Sequence, residues 1–334
     1  MLNLLKHSAA DRRTLYTQLS YKLGLHPQSI EKDLWVTGIL QLVFSLPYAD
    51  KLVFKGGSSL SKIWGLISRF SEDIDLAADR SLFDLEGDLT KKQLKKLRKA
   101  SSVFVRDVLA SDLHNAIEEA GLVSYCSVEP EPDGEGDGTY PEPRKVHILF
   151  DSVFSDALDS YVKPEVMLEV GSRSLFEPTA KAKVRSIISE NTAVDTTVID
   201  SAIIAAVPAK TFLEKAFLLH ELFTTQGCAK ANRKSRHLYD LERMMDCDFA
   251  STAISDDELW ETIRHHREVF TSIRDVDYTP DIRDRIVLLP PQEYLSEWRS
   301  DYETMQNTML YGDSLAFDEL IDRISQLQER FRNR

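Results

Sequence analysis

The stretch Phe54-Lys55-Gly56-Gly57-Ser58-Ser59-Leu60-Ser61-Lys62, followed by Arg69-Phe70-Ser71-Glu72-Asp73-Ile74-Asp75-Leu76, decides the fold of the first half of the chain. An apolar run predicts a strand at 52–55, and a Gly-Gly-Ser turn then leads into a predicted helix at 58–67. A second apolar run at 73–77, which carries two aspartates, predicts another strand. A strand, a glycine turn, a helix and an acidic strand in this order are suited to holding a phosphate and a metal ion together.

The chemistry of the two segments differs. Gly56 and Gly57 lack a Cβ, so their backbone can approach a ligand closely, and Ser58 can donate its hydroxyl to a phosphate oxygen beside the free N–H groups of a helix start. Asp73 and Asp75 are two apart in a strand, so their carboxylates project from one face, about 6.5–7 Å apart along the chain. Two hard oxygen ligands on one face favour Mg²⁺ over zinc.

These segments resemble the nucleotidyltransferase superfamily, and more closely the AbiEii/AbiGii toxin family of type IV abortive-infection and toxin–antitoxin systems. The resemblance extends over most of the chain. The segment 211–220 is similar to the third motif of the family, whose lysine, Lys215 here, contacts the nucleoside triphosphate. The segment 236–241 is similar to the fourth motif, which supplies an aspartate, Asp240 here. His237 stands where the family usually has its first acid.

The resemblance implies an α/β (α+β) fold, with a nucleotidyltransferase-like core around a small mixed sheet and a mainly helical C-terminal half. It also implies an enzyme dependent on Mg²⁺ or Mn²⁺ that transfers nucleotides from a nucleoside triphosphate to the 3′ end of tRNA, with a cognate antitoxin encoded alongside. The resulting assignments are catalysis by Asp73, Asp75, Lys215 and Asp240, nucleotide binding by Gly57, Ser58 and Lys215, and metal binding by Asp73 and Asp75. Glu169 is our choice of third metal ligand, on the grounds given below.

Two other functions remain open: nucleotidyl modification of a protein or a small molecule, and a non-catalytic module that binds nucleotides or RNA. The second is disfavoured because a binding module has little reason to keep a costly cluster of like charges such as Asp73 and Asp75. The resemblance further requires Lys215 and Asp240 to face the Asp73–Asp75 strand across a cleft.

The third carboxylate is not fixed by the sequence. Two metal ions about 3.5–4 Å apart need a further carboxylate, and Glu169 lies in the apolar run Val166–Val170, where an acid is costly unless it has a partner. Glu169 is equally able to pair with Arg173 at the strand end. Asp151, at the end of the preceding predicted strand, is the competing ligand.

The rest of the chain is α/β in its first half and helical in its second. We place one domain at 1–175 and a helical domain that completes the active site at 176–334. Further predicted strands are 122–128, 145–150 and 162–170. Predicted helices are 11–24, 28–46, 90–120, 208–226, 234–248, 256–272, 291–309 and 316–332.

Composition limits the class of protein. The 334 residues, 43% of them hydrophobic, suffice for a substantial core. No run of eighteen apolar residues exists, and the first residues lack the features of a signal peptide, so we expect a cytoplasmic protein without a membrane segment. The three cysteines, Cys126, Cys228 and Cys247, lack the spacing of a disulfide framework or a zinc site.

The net charge of −13 argues against non-specific coating of nucleic acid. Basic runs nevertheless occur at 91–99, 181–185 and 230–236. Such runs are usually solvated faces of helices or loops. If they converge, they form a basic track for RNA or for a nucleoside triphosphate.

Overall fold

The computed structural model describes residues 1–70, 73–134, 140–154, 163–225 and 229–334. The residues outside this description include Ser71 and Glu72, which precede Asp73, as well as Cys228 and the first residue of the predicted strand 162–170. The chain divides into two compact units. The first comprises Met1–Ile63 and Phe70–Ala206, and the second comprises Trp64–Arg69 and Val207–Arg334.

The first unit is built on a mixed sheet, which has seven strands among the described residues, in the order β3-β4-β5-β2-β1-β7-β6. The pairs β1–β7 and β2–β5 are parallel, and the other neighbours are antiparallel. The predicted α/β fold class is thereby confirmed. The strands are β1 Leu52–Lys55, β2 Asp73–Ala78, β3 Cys126–Pro130, β4 Arg144–Phe150, β5 Glu165–Gly171, β6 Thr179–Ala182 and β7 Ile203–Ala206.

The two faces of this sheet differ in polarity because successive side chains alternate between them. Phe54, Ile74 and Leu168 belong to one face, which is fully buried in the main hydrophobic core. The opposite face carries half-buried polar side chains from β2 and β5. The polar face is therefore where the first unit presents its chemistry.

Helices complete the core of the first unit. All but the first two residues of α3 are buried, including the charged side chains of Glu31, Lys32 and Asp33. Trp35 of α3 stacks on Phe150 at the end of β4, with ring centroids 5.1 Å apart. The helices of this unit are α1 Leu2–Leu5, α2 Ala9–Leu23, α3 Pro27–Val43, α4 Gly56–Lys62, α5 Lys91–Phe104, α6 Ala110–Glu119 and α7 Ile187–Asn191, with a π-helical segment, Val105–Leu109, between α5 and α6.

A buried ion pair fixes the short helix α4. Lys62, its last residue, pairs with Asp33 of α3, and the same aspartate accepts the backbone N–H of Ile187 at 2.7 Å. Both side chains are shielded from solvent, so the pair is screened little. Helix α4 is thereby tied to α3, and the same carboxylate ties α3 to the start of α7.

The second unit is helical. It is formed by α8 Pro208–Thr224, α9 Arg236–Met244, α10 Asp248–Ser255, α11 Asp257–His266, α12 Leu295–Thr308 and α13 Phe317–Arg332, with a π-helical segment, Arg267–Thr271, after α11. Trp260 of α11 packs on Phe217 of α8, with ring centroids 4.4 Å apart. Among the residues that the structure describes, no helix is long and apolar enough to cross a membrane.

Three local features differ from the sequence predictions. The helix expected at 58–67 begins at Gly56 and ends at Lys62, and the segment that follows joins the second unit. Strands β6 and β7 were not predicted, because each has only four residues and contains alanine, which is depleted in strands. Both strands lie in the first unit, whose second segment ends at Ala206.

Candidate active site

Three of the predicted site residues share the polar face of the sheet. In the parallel pairing of β2 with β5, Asp75 is directly opposite Glu169 and Asp73 is opposite Met167. Paired residues in neighbouring strands project from the same face, and the strands are about 4.8 Å apart. Asp73, Asp75 and Glu169 therefore form one group of carboxylates on two adjacent strands.

Two lysines extend the row of charges to four strands. Lys55 of β1 is opposite Asp75, and Lys145 of β4 is opposite Glu169. The row therefore reads lysine, aspartate, glutamate, lysine, and all four side chains are half-buried. Opposite charges in cross-strand positions stabilise a sheet, whereas like charges destabilise it, so the lysines offset the repulsion between the two carboxylates. Neither lysine was assigned a role from the sequence, since the row depends on the register.

Gly56 lies against the Asp75 carboxylate. Its φ is +76°, and a Cβ built on it would lie 2.2 Å from Asp75 Oδ2. A side chain at this position would meet both backbone strain and a direct clash. The glycine that the sequence associated with close approach of a ligand thus also makes room for a carboxylate.

Ser58 links the glycine turn to the acidic strand. Its hydroxyl donates to the backbone carbonyl of Asp73, and only 1% of the residue is exposed. Gly57 is buried beside it in the first turn of α4. In this conformation Ser58 fixes the start of β2, and its contact with a phosphate stays a prediction, as does that of Gly57.

The register favours Glu169 over Asp151 as the third carboxylate. Asp151 follows the end of β4 that is opposite Glu165, four residues along β5 from Glu169, and its N–H donates to the Tyr125 carbonyl at 3.2 Å. Four residues of a strand span about 13 Å. Within the described part of the chain, no three His, Cys, Asp or Glu side chains are close enough together to form a metal cluster.

A second charged cluster lies in the helical unit. Lys215 of α8 and Asp240 of α9 form an ion pair, with Nζ 2.8 Å from Oδ2. The guanidinium of Arg69 donates to the same carboxylate through both Nε, at 2.7 Å to Oδ1, and Nη2, at 2.9 Å to Oδ2. Asp240 is fully buried, so its carboxylate is occupied by two cations. The structure thus brings Lys215 and Asp240 together, as the family motifs implied, and adds Arg69.

The burial of this cluster shifts its pKa values. Burial raises the pKa of Asp240, but the charges and hydrogen bonds of Arg69 and Lys215 outweigh it and hold that pKa below its usual value. Burial lowers the pKa of Lys215, and the nearby Arg69 cation adds to this effect while Asp240 opposes it. The carboxylate therefore stays ionised under all ordinary conditions.

His237 contacts the same lysine. Its Nδ1 lies 3.4 Å from Lys215 Nζ. Burial and the charges of Lys215 and Arg236 hold the pKa of His237 well below its usual value, so the imidazole is neutral and its Nδ1 accepts a hydrogen bond from the Lys215 ammonium. The histidine thus replaces an acid with a neutral acceptor and leaves the cluster with more positive charge than an acid would.

The segment that carries Arg69 is tied to α9 and to the end of α12. The backbone N–H of Ser68 donates to the Tyr239 hydroxyl at 3.1 Å, and the N–H of Tyr311 donates to the Ser68 carbonyl at 3.0 Å. These bonds fix the backbone beside Arg69 and therefore the direction in which its side chain points. Sequence reasoning gave Arg69 no role, because its partner lies 171 residues away.

Comparison with known proteins agrees with this architecture. The model of a family described as "Nucleotidyl transferase AbiEii toxin, Type IV TA system" matches residues 41–323. Among solved structures, the chain is similar to MenT4, a nucleotidyltransferase toxin from Mycobacterium tuberculosis H37Rv, with 15% identity, a TM-score of 0.51 and coverage of 96% of this chain and 88% of that one. It is also similar to JHP933 from Helicobacter pylori, with 12% identity, a TM-score of 0.46 and coverage of 92% and 94%. No curated protein matches.

Proposed function

Because the chain belongs to the AbiEii family of nucleotidyltransferase toxins of type IV toxin–antitoxin systems, we propose that it transfers nucleotides from a nucleoside triphosphate to an RNA acceptor. The proposed acceptor group is the 3′ end of tRNA, and the proposed metal is Mg²⁺, with Mn²⁺ as a substitute. Cytoplasmic action and inhibition by a cognate antitoxin belong to the same proposal.

The main support for this proposal is the set of three carboxylates, Asp73, Asp75 and Glu169, on the polar face of the sheet. Asp75 is paired in register with Glu169, Asp73 is on the same face, and Gly56 leaves room for the Asp75 carboxylate. Mg²⁺ is usually held by one or two carboxylates together with waters and substrate phosphates, so a complete protein cage is unnecessary. The donor set on this face fits such an ion, with Asp73 and Asp75 as ligands and Glu169 as the third carboxylate.

The reaction follows from these residues. An acceptor hydroxyl loses its proton and attacks the α-phosphorus, the bond to the bridging oxygen breaks, and pyrophosphate leaves. When bound, Mg²⁺ neutralises charge that develops on the phosphoryl oxygens. Asp73 and Asp75 hold their oxygens in fixed positions because they lie on a central strand, and Ser58 fixes the start of that strand by donating to the Asp73 carbonyl. Pre-positioned groups of this kind need no rearrangement in the transition state.

The buried cluster of the second unit supports binding of an anion. Lys215 shares the Asp240 carboxylate with Arg69, and the His237 imidazole beside its ammonium is neutral. A lysine that shares its counter-ion with a second cation is suited to binding a phosphate. We propose that Lys215 contacts the phosphates of the nucleotide and that Asp240, whose oxygens are occupied, positions Lys215 instead of contacting the acceptor.

Incubation with labelled nucleotides tests this function. The purified protein is mixed with one α-labelled nucleoside triphosphate at a time and total RNA, with Mg²⁺ or with a chelator. We expect label in the tRNA fraction, at its 3′ end, only with Mg²⁺, and none with Asp75→Asn. Label that appears on protein or on a small molecule while RNA stays unlabelled would reject RNA as the acceptor.

A further inference from the structure

Helix α5 presents an unusual basic face. It carries six cations and no acid between Lys91 and Lys99, although the whole chain has 54 acidic and 41 basic residues. The apolar side of the helix is buried, with Leu97 fully covered. The basic side chains are all exposed; they are Lys91, Lys92, Lys95, Lys96, Arg98 and Lys99. We call this set the α5 basic face.

This arrangement is unfavourable for the helix itself. Lys91 and Lys92 lie in the first turn, which contains no acid, and there each cation is repelled by the helix dipole. The i,i+4 lysine pairs that start at Lys91, Lys92 and Lys95 add repulsion between like charges. A capping box between Thr90 and Gln93 offsets part of this cost. If these side chains served only to solvate the helix, glutamates in the first turn would make the helix more stable than lysines do.

Ion pairing of the lysines at the start of the helix differs from that of the other two basic runs. Lys91, Lys92, Lys95 and Lys96 form no ion pair with any residue in the described ranges. The other two basic runs are engaged differently. Lys183 pairs with Asp200 at 2.8 Å. In the run 230–236, Asp301 accepts the backbone N–H groups of Arg233 and Ser235 at 2.6 and 3.0 Å. The α5 basic face thus combines six exposed cations on one helix, none of which has an ion-pair partner in the described part of the chain.

We propose that the α5 basic face binds the phosphate backbone of the RNA acceptor; this rests on the proposed function. From Lys91 to Lys99 the helix rises about 12 Å, enough for a lysine row to follow several consecutive phosphates. Lysine is depleted at protein–protein interfaces, whereas it is a common ligand of nucleic-acid phosphates, so RNA is favoured over an acidic protein as the occupant. Contacts of this kind position the acceptor without reading its sequence.

The test is a binding measurement that requires no catalysis. A fluorescently labelled tRNA transcript is titrated with Asp75→Asn protein, without nucleotide, over a series of salt concentrations. The variant Lys91→Gln/Lys92→Gln/Lys95→Gln/Lys96→Gln is compared in the same background. Glutamine has nearly the helix propensity of lysine, so the helix is retained. We expect at least 10-fold weaker binding at low salt. The slope of log K against log salt concentration should be about 3 smaller in magnitude, since each lost phosphate contact lowers that slope by about 0.7–0.9.

A matched control removes the same charge elsewhere. Lys6→Gln/Lys22→Gln/Lys181→Gln/Lys183→Gln neutralises four exposed lysines of the same unit and should leave the salt slope within about 1 of the parent. Replacing the same four α5 lysines with arginine instead of glutamine should retain binding, because the contact depends on positive charge.

The outcomes separate this inference from the proposed function. An unchanged slope in the α5 variant, or an equal loss in the control, overturns the inference even if the enzyme labels RNA. Weaker binding of a cognate acidic antitoxin with unchanged binding of tRNA also overturns it. If the wild-type protein binds tRNA through α5 but transfers no nucleotide, the inference stands and the proposed chemistry fails.

Discussion

The Arg69 guanidinium donates two hydrogen bonds to the Asp240 carboxylate within the helical unit, from Nε to Oδ1 at 2.7 Å and from Nη2 to Oδ2 at 2.9 Å. Both side chains are almost completely shielded from water. Lys215 shares the same carboxylate at 2.8 Å. A bidentate pair of this geometry sets the position of the carboxylate, and the carboxylate in turn sets the position of the lysine. Asp240 therefore acts on Lys215 by positioning it.

Replacing this carboxylate should destabilise the protein strongly. Asp240→Asn removes the carboxylate that pairs with the buried side chains of Arg69 and Lys215, and breaking a buried pair costs roughly 3–5 kcal/mol. The free energy of unfolding, measured by urea denaturation, reports this loss. Asp318→Asn is the matched control in the same unit, because Asp318 pairs with Arg299 at the surface and such pairs contribute about 0–1 kcal/mol. Similar losses in the two variants would contradict a buried, essential carboxylate.

The stability contributed by Asp240 should depend on pH with a defined sign. Its pKa is lowered in the folded protein, while in the unfolded chain it titrates near 3.9. The contribution is therefore fully present above the unfolded pKa and is lost as the pH falls below about 4 towards the folded value. The difference in unfolding free energy between wild type and Asp240→Asn should be constant from pH 5 to 7 and shrink below pH 4. A difference that grows on acidification contradicts the ion pair.

Lys215→Met should remove activity and leave the fold intact. Methionine cannot replace a point charge at a phosphate, so we expect a loss of about 10²-fold or more in rate. Stability should barely change, since Arg69 still neutralises Asp240 and methionine fits a buried site. Steady-state rates and a thermal melt measure the two effects. A stable variant with full activity would exclude Lys215 from the reaction.

Gly56→Ala should disturb the Asp75 carboxylate. The added methyl would lie 2.2 Å from Oδ2 at a backbone φ of +76°. Gly24→Ala is the control, since Gly24 has φ +70° with no atom within 4 Å of its added Cβ, so only the backbone strain of about 1–2 kcal/mol applies. We expect transfer to be lost in Gly56→Ala and retained in Gly24→Ala. Equal activity of the two variants would mean that the approach of Gly56 to Asp75 is not required.

Local patterns predicted much of the fold. Strands β1 and β2 and helices α3 and α8 follow from apolar runs and helical periodicity, which a short window of sequence contains. The short strands β6 and β7 lack such a signal, because their stability comes from pairing within the sheet. Their addition to the first unit was therefore not visible in the sequence.

The sequence predicted the residue types of the candidate site and the shared face of Asp73 and Asp75, but it did not predict how distant residues pair. Asp73 and Asp75 share a face because of strand geometry, and this was foreseen. The lysine row depends on the register of four strands, and the Arg69–Asp240 pair joins positions 171 residues apart. A single sequence contains no record of either pairing. A buried arginine does require a carboxylate, but the sequence does not say which one.

The most direct test of nucleotidyl transfer by this chain is label transfer measured side by side for wild type, Asp73→Ala and Asp75→Ala. Each variant removes a carboxylate from the face that β2 shares with Glu169, and no neighbouring side chain of β2 replaces it. Wild type with Mg²⁺, tRNA and one of the four α-labelled nucleoside triphosphates should give labelled RNA, and both variants should give none above background. Full transfer by either variant, or no transfer by wild type with any of the four nucleotides, would contradict nucleotidyl transfer that depends on Asp73 and Asp75.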